Sequence, residues 1–270
     1  MILRGAYGLY CASFLFYLAF LTSRRASWGR MAFLLLSGGF ILHFLFLLFR
    51  LFTLGQFPSI DLFGSLSFFA FSIVLWYFFV ELKYRLYVLG LFVLPLPLLM
   101  LSASLTATAE QAPRTDPMFQ SGWLPIHTAL IFLSYAGLAT AFGVGLAYLM
   151  QEWQIKTKRV SSLCYTLPSL DELDLLGYRL IALAYPLLTL GIVSGMVWAK
   201  QAQGAMSLQD PKILSTLLMW TFYTLTLAAR VLLGWRGRRV TYMSVIGFVA
   251  LIFTFLGISL IEKGWHAFIL

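Results

Sequence analysis

The sequence predicts an all-α polytopic membrane bundle of about eight transmembrane helices, folded as one transmembrane domain over 1–270 with both termini on the outer face. Three observations carry this. The 270 residues are 61% hydrophobic and 17% aromatic, with 11% charged, against about 25% charged in an ordinary soluble domain. Apolar stretches of about 20 residues, enough to cross a ~30 Å hydrocarbon core as helices, recur along the whole length. The basic residues gather in alternate loops, the pattern that sets membrane orientation.

The stretches lie at about 6–22, 31–53, 60–82, 86–105, 124–151, 177–199, 212–234 and 241–261. The first has Arg4 before it and Arg24, Arg25 and Arg30 after it, the reverse of a cleaved signal peptide, so it is predicted to stay as a helix. Lys83 and Arg85 follow the third stretch, Lys156, Lys158 and Arg159 the fifth, and Arg236, Arg238 and Arg239 the seventh. Those loops are predicted to be cytoplasmic, and the +9 net charge therefore reads as topology, not as affinity for nucleic acid. Ser169 and Glu172 have the spacing of a capping box, which places a short amphipathic cytoplasmic helix before the sixth span. Asp171, Glu172 and Asp174 read there as charges favoured by the helix dipole, not as a metal site. Cys11 and Cys164 have neither disulfide nor zinc spacing.

Ionisable groups at depth in such a bundle are functional candidates. There are three histidines. His127 opens the fifth span after Trp123 and Pro125, and His266 follows the eighth beside Trp265, so both fall at the outer surface. Two neutral imidazoles from different helix ends can take the axial positions of a haem iron; ordinary interfacial histidines are the alternative. His43 lies midway through the second span in FILHFLFLLFR, with Arg50 two helical turns further on. Iron at His43 and propionates toward Arg50 would satisfy both, as would a histidine bonded to a neighbouring helix and a snorkelling arginine. Trp123, Trp198 and Trp265 gather at the outer face, singly as belt anchors, together with the two histidines as an aromatic slot. Signatures of hydrolysis and phosphoryl transfer are absent, and intramembrane Asp and Glu are nearly lacking.

Between the sixth and seventh spans, residues 198–212 read WAKQAQGAMSLQDPK. This stretch resembles the external tryptophan-rich loop of the cytochrome c assembly family, the CcsA-type haem-handling membrane proteins. Trp198, Ala199, Gly204, Asp210, Pro211 and Lys212 match its pattern, while Gln203, Met206, Ser207, Gln209 and Ile213 depart from it, so the frame stays and the aromatic middle is lost. IHTALIFLSYAGLATAFGVGLAYL is similar to the family's span opening with the first external haem ligand, matching His127. His266 falls at the second external ligand, after GWRGRRVTYMSVIGFVALIFTFLGISLI. The segment from FILHFLFLLFR onward is similar to the one carrying an intramembrane haem ligand, matching His43. A second intramembrane histidine of the family is Ala228 here, and the usual Asn and Glu after His43 are Asp61 and Gly64. The likeness covers about 31–270.

The resemblance implies a haem-binding membrane protein of cytochrome c biogenesis in a bacterial cytoplasmic (inner) membrane. Its cofactor would be non-covalent b-type haem, held by iron at His127, His266 and His43. Trp198 and Trp265 would lie against the macrocycle, and Arg50, Lys200 or Lys212 near the propionates, with Asp210 as part of the loop frame. Beyond haem and membrane lipid, the implied partners are apocytochrome c and an extracytoplasmic synthase subunit, since this chain alone holds no enzyme signature. The degenerate loop with three retained histidines looks most like the HemX-type branch, which would make glutamyl-tRNA reductase a partner and regulation of haem synthesis the alternative role.

Overall fold

The computed structural model describes residues 1–54, 57, 61–106, 121–159, 161–203 and 211–261, with the side chains of 202–203, 211–212 and 255–261 outside the description. Every regular element among these is helical: α1 (Ile2–Ser23), α2 (Ala26–Leu54), α3 (Leu62–Tyr84), α4 (Gly90–Val93), α5 (Pro95–Thr106), α6 (Trp123–Lys156), α7 (Ser162–Thr166), α8 (Leu170–Gln203), α9 (Pro211–Leu232) and α10 (Arg238–Ile261), with one 3₁₀ turn at Tyr87–Leu89 before α4. Asp210, Trp265 and His266 lie outside the described residues, as does the side chain of Lys212. The first apolar stretch is a 22-residue helix, as expected.

Five of the helices (α1, α2, α3, α6 and α8) are long and apolar enough to cross a membrane, and α4 with α5 makes a sixth candidate bent by 47°. The chain is therefore an all-helical membrane protein with five to six candidate spans among the described residues. The bend divides the single span expected at 86–105. Pro95 and Pro97 begin α5, and a proline inside a helix removes an amide donor and clashes with the preceding turn.

Helices α3 and α6 are the centre. Two thirds (67%) of the most apolar window of each is buried, against 22%, 28% and 33% for α1, α2 and α8. Helix α6 packs along α8, α1 along α2, α3 against α5 and α6, and α10 against α6 and α9. Large apolar side chains on the outer helices, such as Leu15, Leu34, Phe49 and Leu183, face outward, where lipid supplies the apolar surroundings water would not.

Helix ends follow local rules. Asp61 caps α3, its carboxylate accepting from the Gly64 amide. The capping box at α8 forms as expected: the Ser169 amide donates to Glu172 Oε2 at 2.9 Å and the Glu172 amide to Ser169 Oγ at 3.3 Å. Helices α1 and α3 both end on an arginine in the left-handed conformation, Arg24 at φ 54° and Arg85 at φ 53°. From Leu170 the chain runs without a break to Gln203, so the short amphipathic helix expected before the sixth span and that span are one helix.

Two polar clusters, one partly and one fully buried, hold one end of the bundle. Asp174 on α8 pairs with Arg230 on α9 through two contacts of 2.6 and 2.7 Å, and accepts from the Gly237 amide at 2.9 Å before α10. Gly237 has φ +66°, which glycine adopts without strain. Asp174 thus joins three helices, beyond the dipole role its position suggested. Glu81, 2% exposed near the end of α3, accepts a short hydrogen bond from the Tyr17 hydroxyl of α1. Tyr17→Phe is expected to lower stability by about 1–3 kcal/mol, the usual cost of a buried polar atom left without its partner. Thermal unfolding in detergent reads this out, and a variant as stable as wild type would rule the bond out as an anchor.

Candidate functional site

Of the outer candidates, His127 and Trp198 are brought together by the crossing of α6 and α8, at the end where α6 begins and α8 finishes. His127, one turn into α6, lays its ring on the face of α8 formed by Gly191, Ser194, Gly195 and Trp198. These residues are spaced i, i+3, i+4 and i+7 and lie on one helix side. His127 Nδ1 lies 2.8 Å from the Gly191 carbonyl oxygen. A carbonyl only accepts, so Nδ1 carries a proton, and in the neutral ring Nε2 then holds the lone pair. Gly195 is what lets the ring in: a Cβ there would sit 2.6 Å from His127 Cε1 and 2.7 Å from Nδ1. Trp198 stacks on the imidazole with centroids 6.0 Å apart and planes at 12°, and is 4% exposed.

Trp198 is therefore less a loop residue than expected. It belongs to the last turns of α8, with Ala199 and Lys200, while Pro211 and Lys212 open α9. The tryptophan end of the polar segment is fixed by helix geometry, and its indole covers the histidine.

The inner candidate is packed differently. His43 is fully buried on α2, with Nε2 3.0 Å from Ser67 Oγ on α3 and Nδ1 3.4 Å from the Tyr10 hydroxyl on α1. The Phe71 ring meets it edge-on at 5.4 Å. Both ring nitrogens face hydroxyls, so a metal at Nε2 requires Ser67 to turn away. Arg50 directs Nη2 to both carboxylate oxygens of Asp61, each at 2.7 Å, and lies over the Phe63 ring at 4.9 Å. Its Nη1 is buried with no hydrogen-bond partner among the described residues. The departure Asp61 thus has a local reason: it caps α3 and neutralises Arg50 in one contact set.

Haem chemistry asks for a neutral imidazole whose second nitrogen is held by an acceptor and for aromatic surroundings. His127, with Nδ1 on a carbonyl and Trp198 against its ring, fits this; at His43 both ring nitrogens meet hydroxyls instead. Among the described residues no three His, Cys, Asp or Glu side chains cluster as a metal site. Sequence reasoning missed Gly191, Ser194 and Gly195, although their GIVSG spacing is the kind that admits a close neighbour. It also missed Glu81 and the Asp174–Arg230 pair, whose partners lie 64 and 56 residues away.

Residues 59–266 match the model of the cytochrome C assembly protein family. Among curated proteins, the chain is similar to the cytochrome c biogenesis protein CcsA of Guillardia theta, 32% identical over 232 residues that cover 79% of this chain and 77% of that protein. It is likewise similar to CcsA of Prochlorococcus marinus, 31% identical over 244 residues with 82% and 79% covered. CcsA of Chlamydomonas reinhardtii is 34% identical over 220 residues, covering 79% of this chain and 61% of the relative.

Proposed function

Since the chain belongs to the cytochrome c assembly protein family, we propose that it handles haem for cytochrome c biogenesis, holding non-covalent b-type haem at the outer face of a bacterial cytoplasmic membrane. The bundle in this reading has eight spans, α9 and α10 completing it, with both termini outside. The observation that carries the outer site is the seating of His127: Nδ1 on the Gly191 carbonyl, the ring admitted by Gly195 and flanked by Trp198. In this reading His266 would be the second histidine to hold the iron.

Haem, when bound, supplies an iron that two imidazoles saturate and the vinyl groups at which thioether bonds to apocytochrome c form. The residues of this chain bind and orient. His127 presents Nε2 in a fixed tautomer, Trp198 shields the ring from water, and Lys200, Lys212 or Arg50 meets the propionates, with Trp265 and Asp210 completing the slot and its frame. In this reading bond formation falls to a partner synthase subunit. His43 serves as a secondary ligand on a transit path and needs Ser67 to rotate. Regulation of haem synthesis through glutamyl-tRNA reductase, as in the HemX-type branch, would use the opposite, cytoplasmic face.

Oxidised and reduced absorption spectra of the protein purified from haem-replete cells test this. A bis-histidine spectrum lost in the His127→Ala/His266→Ala double variant is the expected result. A colourless wild-type protein overturns the reading, and capture of glutamyl-tRNA reductase by that colourless protein would put regulation in its place.

A further inference from the structure

The carbonyl that holds His127 is shared. Ser194 Oγ donates to the same Gly191 oxygen at 2.9 Å, while His127 Nδ1 approaches it at 2.8 Å. Gly191 lies inside α8, so the helical ladder also offers this oxygen to the amide four residues on. One carbonyl has two lone pairs. The side chain of Ser194 is 5% exposed and therefore has little water to turn to instead.

We infer that Ser194 is a positioning residue that sets, through the Gly191 carbonyl, how strongly His127 donates to a haem iron. This inference rests on the outer-site reading above. The acceptor behind a ligating imidazole controls the basicity of that imidazole, and second-shell hydrogen bonding is one of the levers on haem potential. A hydroxyl competing for the Gly191 oxygen weakens its hold on the Nδ1 proton, which makes Nε2 a poorer donor and favours the ferrous state. Removing the hydroxyl strengthens that hold and favours the ferric state. Ser194 touches neither iron nor macrocycle in this scheme; it acts through a backbone oxygen.

The test compares wild type, Ser194→Ala and Ser194→Thr as full-length proteins in detergent. Ser194→Ala is expected to keep wild-type haem content and a bis-histidine spectrum, with a midpoint potential shifted to more negative values. Ser194→Thr, whose hydroxyl can make the same bond to the i−3 carbonyl, is expected to return the potential toward wild type. In haem-free protein carrying ¹⁵N-histidine, the His127 Nδ1 proton resonance is expected to move downfield in Ser194→Ala, the sign of a stronger hydrogen bond. Normal haem content with an unchanged or more positive potential overturns the inference while leaving the outer site intact. A wild-type protein without haem overturns the outer site instead, and the resonance in haem-free protein then decides whether Ser194 and His127 compete for the carbonyl: no movement overturns the inference, a downfield shift supports it.

Discussion

Gly195→Val is expected to strip haem from the outer site about as completely as His127→Ala, a fall in affinity of about 10- to 100-fold or more, as for lost ligand support. The cause is steric. Even the first added carbon would lie 2.6 Å from the imidazole, and the ring cannot retreat without breaking its bond to the Gly191 carbonyl. Gly8→Ala on α1 is the matched control: a Cβ there meets nothing within 4 Å, and alanine is the better helix former by about 1 kcal/mol. That variant is expected to keep its haem and its stability. The measurement is haem per purified protein, from absorption. Wild-type haem content in Gly195→Val would mean that the α6–α8 crossing does not seat the ligand.

Arg230→Ala should cause the largest loss of stability, up to about 3 kcal/mol, because it leaves the largely enclosed Asp174 without its cation. The two side chains are 9% and 10% exposed, so water cannot replace what is removed. Asp174→Ala should cost less, since the Arg230 guanidinium retains the Tyr178 ring at 4.8 Å. The double replacement Asp174→Asn/Arg230→Met, which removes both charges, should recover much of the loss. Thermal unfolding in detergent ranks the three; a double variant no better than Arg230→Ala would show that the pair acts through something other than its charges. Haem binding should survive in all folded variants, because the pair sits at the end of the bundle away from His127.

The five to six candidate spans were legible because hydropathy is a sum over many residues, and no single contact has to be known. The capping box at Ser169 and Glu172 was legible for the opposite reason, being contained in four consecutive residues. What the sequence could not show was which distant side chains meet. Nothing local distinguishes Glu81 from the interfacial charges around it, and its burial follows from Tyr17, which is on another helix. His43 raised the same difficulty in milder form: its depth was clear from FILHFLFLLFR, but its hydroxyl partners on α1 and α3 were not. Trp198 was assigned to a loop on polarity, and helix α8 proved to extend five residues past it to Gln203, since glutamine, lysine and alanine propagate a helix readily.

Arg24 and Arg85 each occupy a backbone conformation that favours glycine, where an L residue gives up roughly 1–2 kcal/mol. Both also belong to the basic loops from which orientation was read. In the orientation read from the charges, the residue that stops the helix and the residue that tells the membrane which way the helix runs are thus the same. Glycine at either position would relax the backbone and erase part of the address. Selection for insertion and selection for folding pull in opposite directions at these two sites, and a stability screen run only on finished protein would choose the wrong residue.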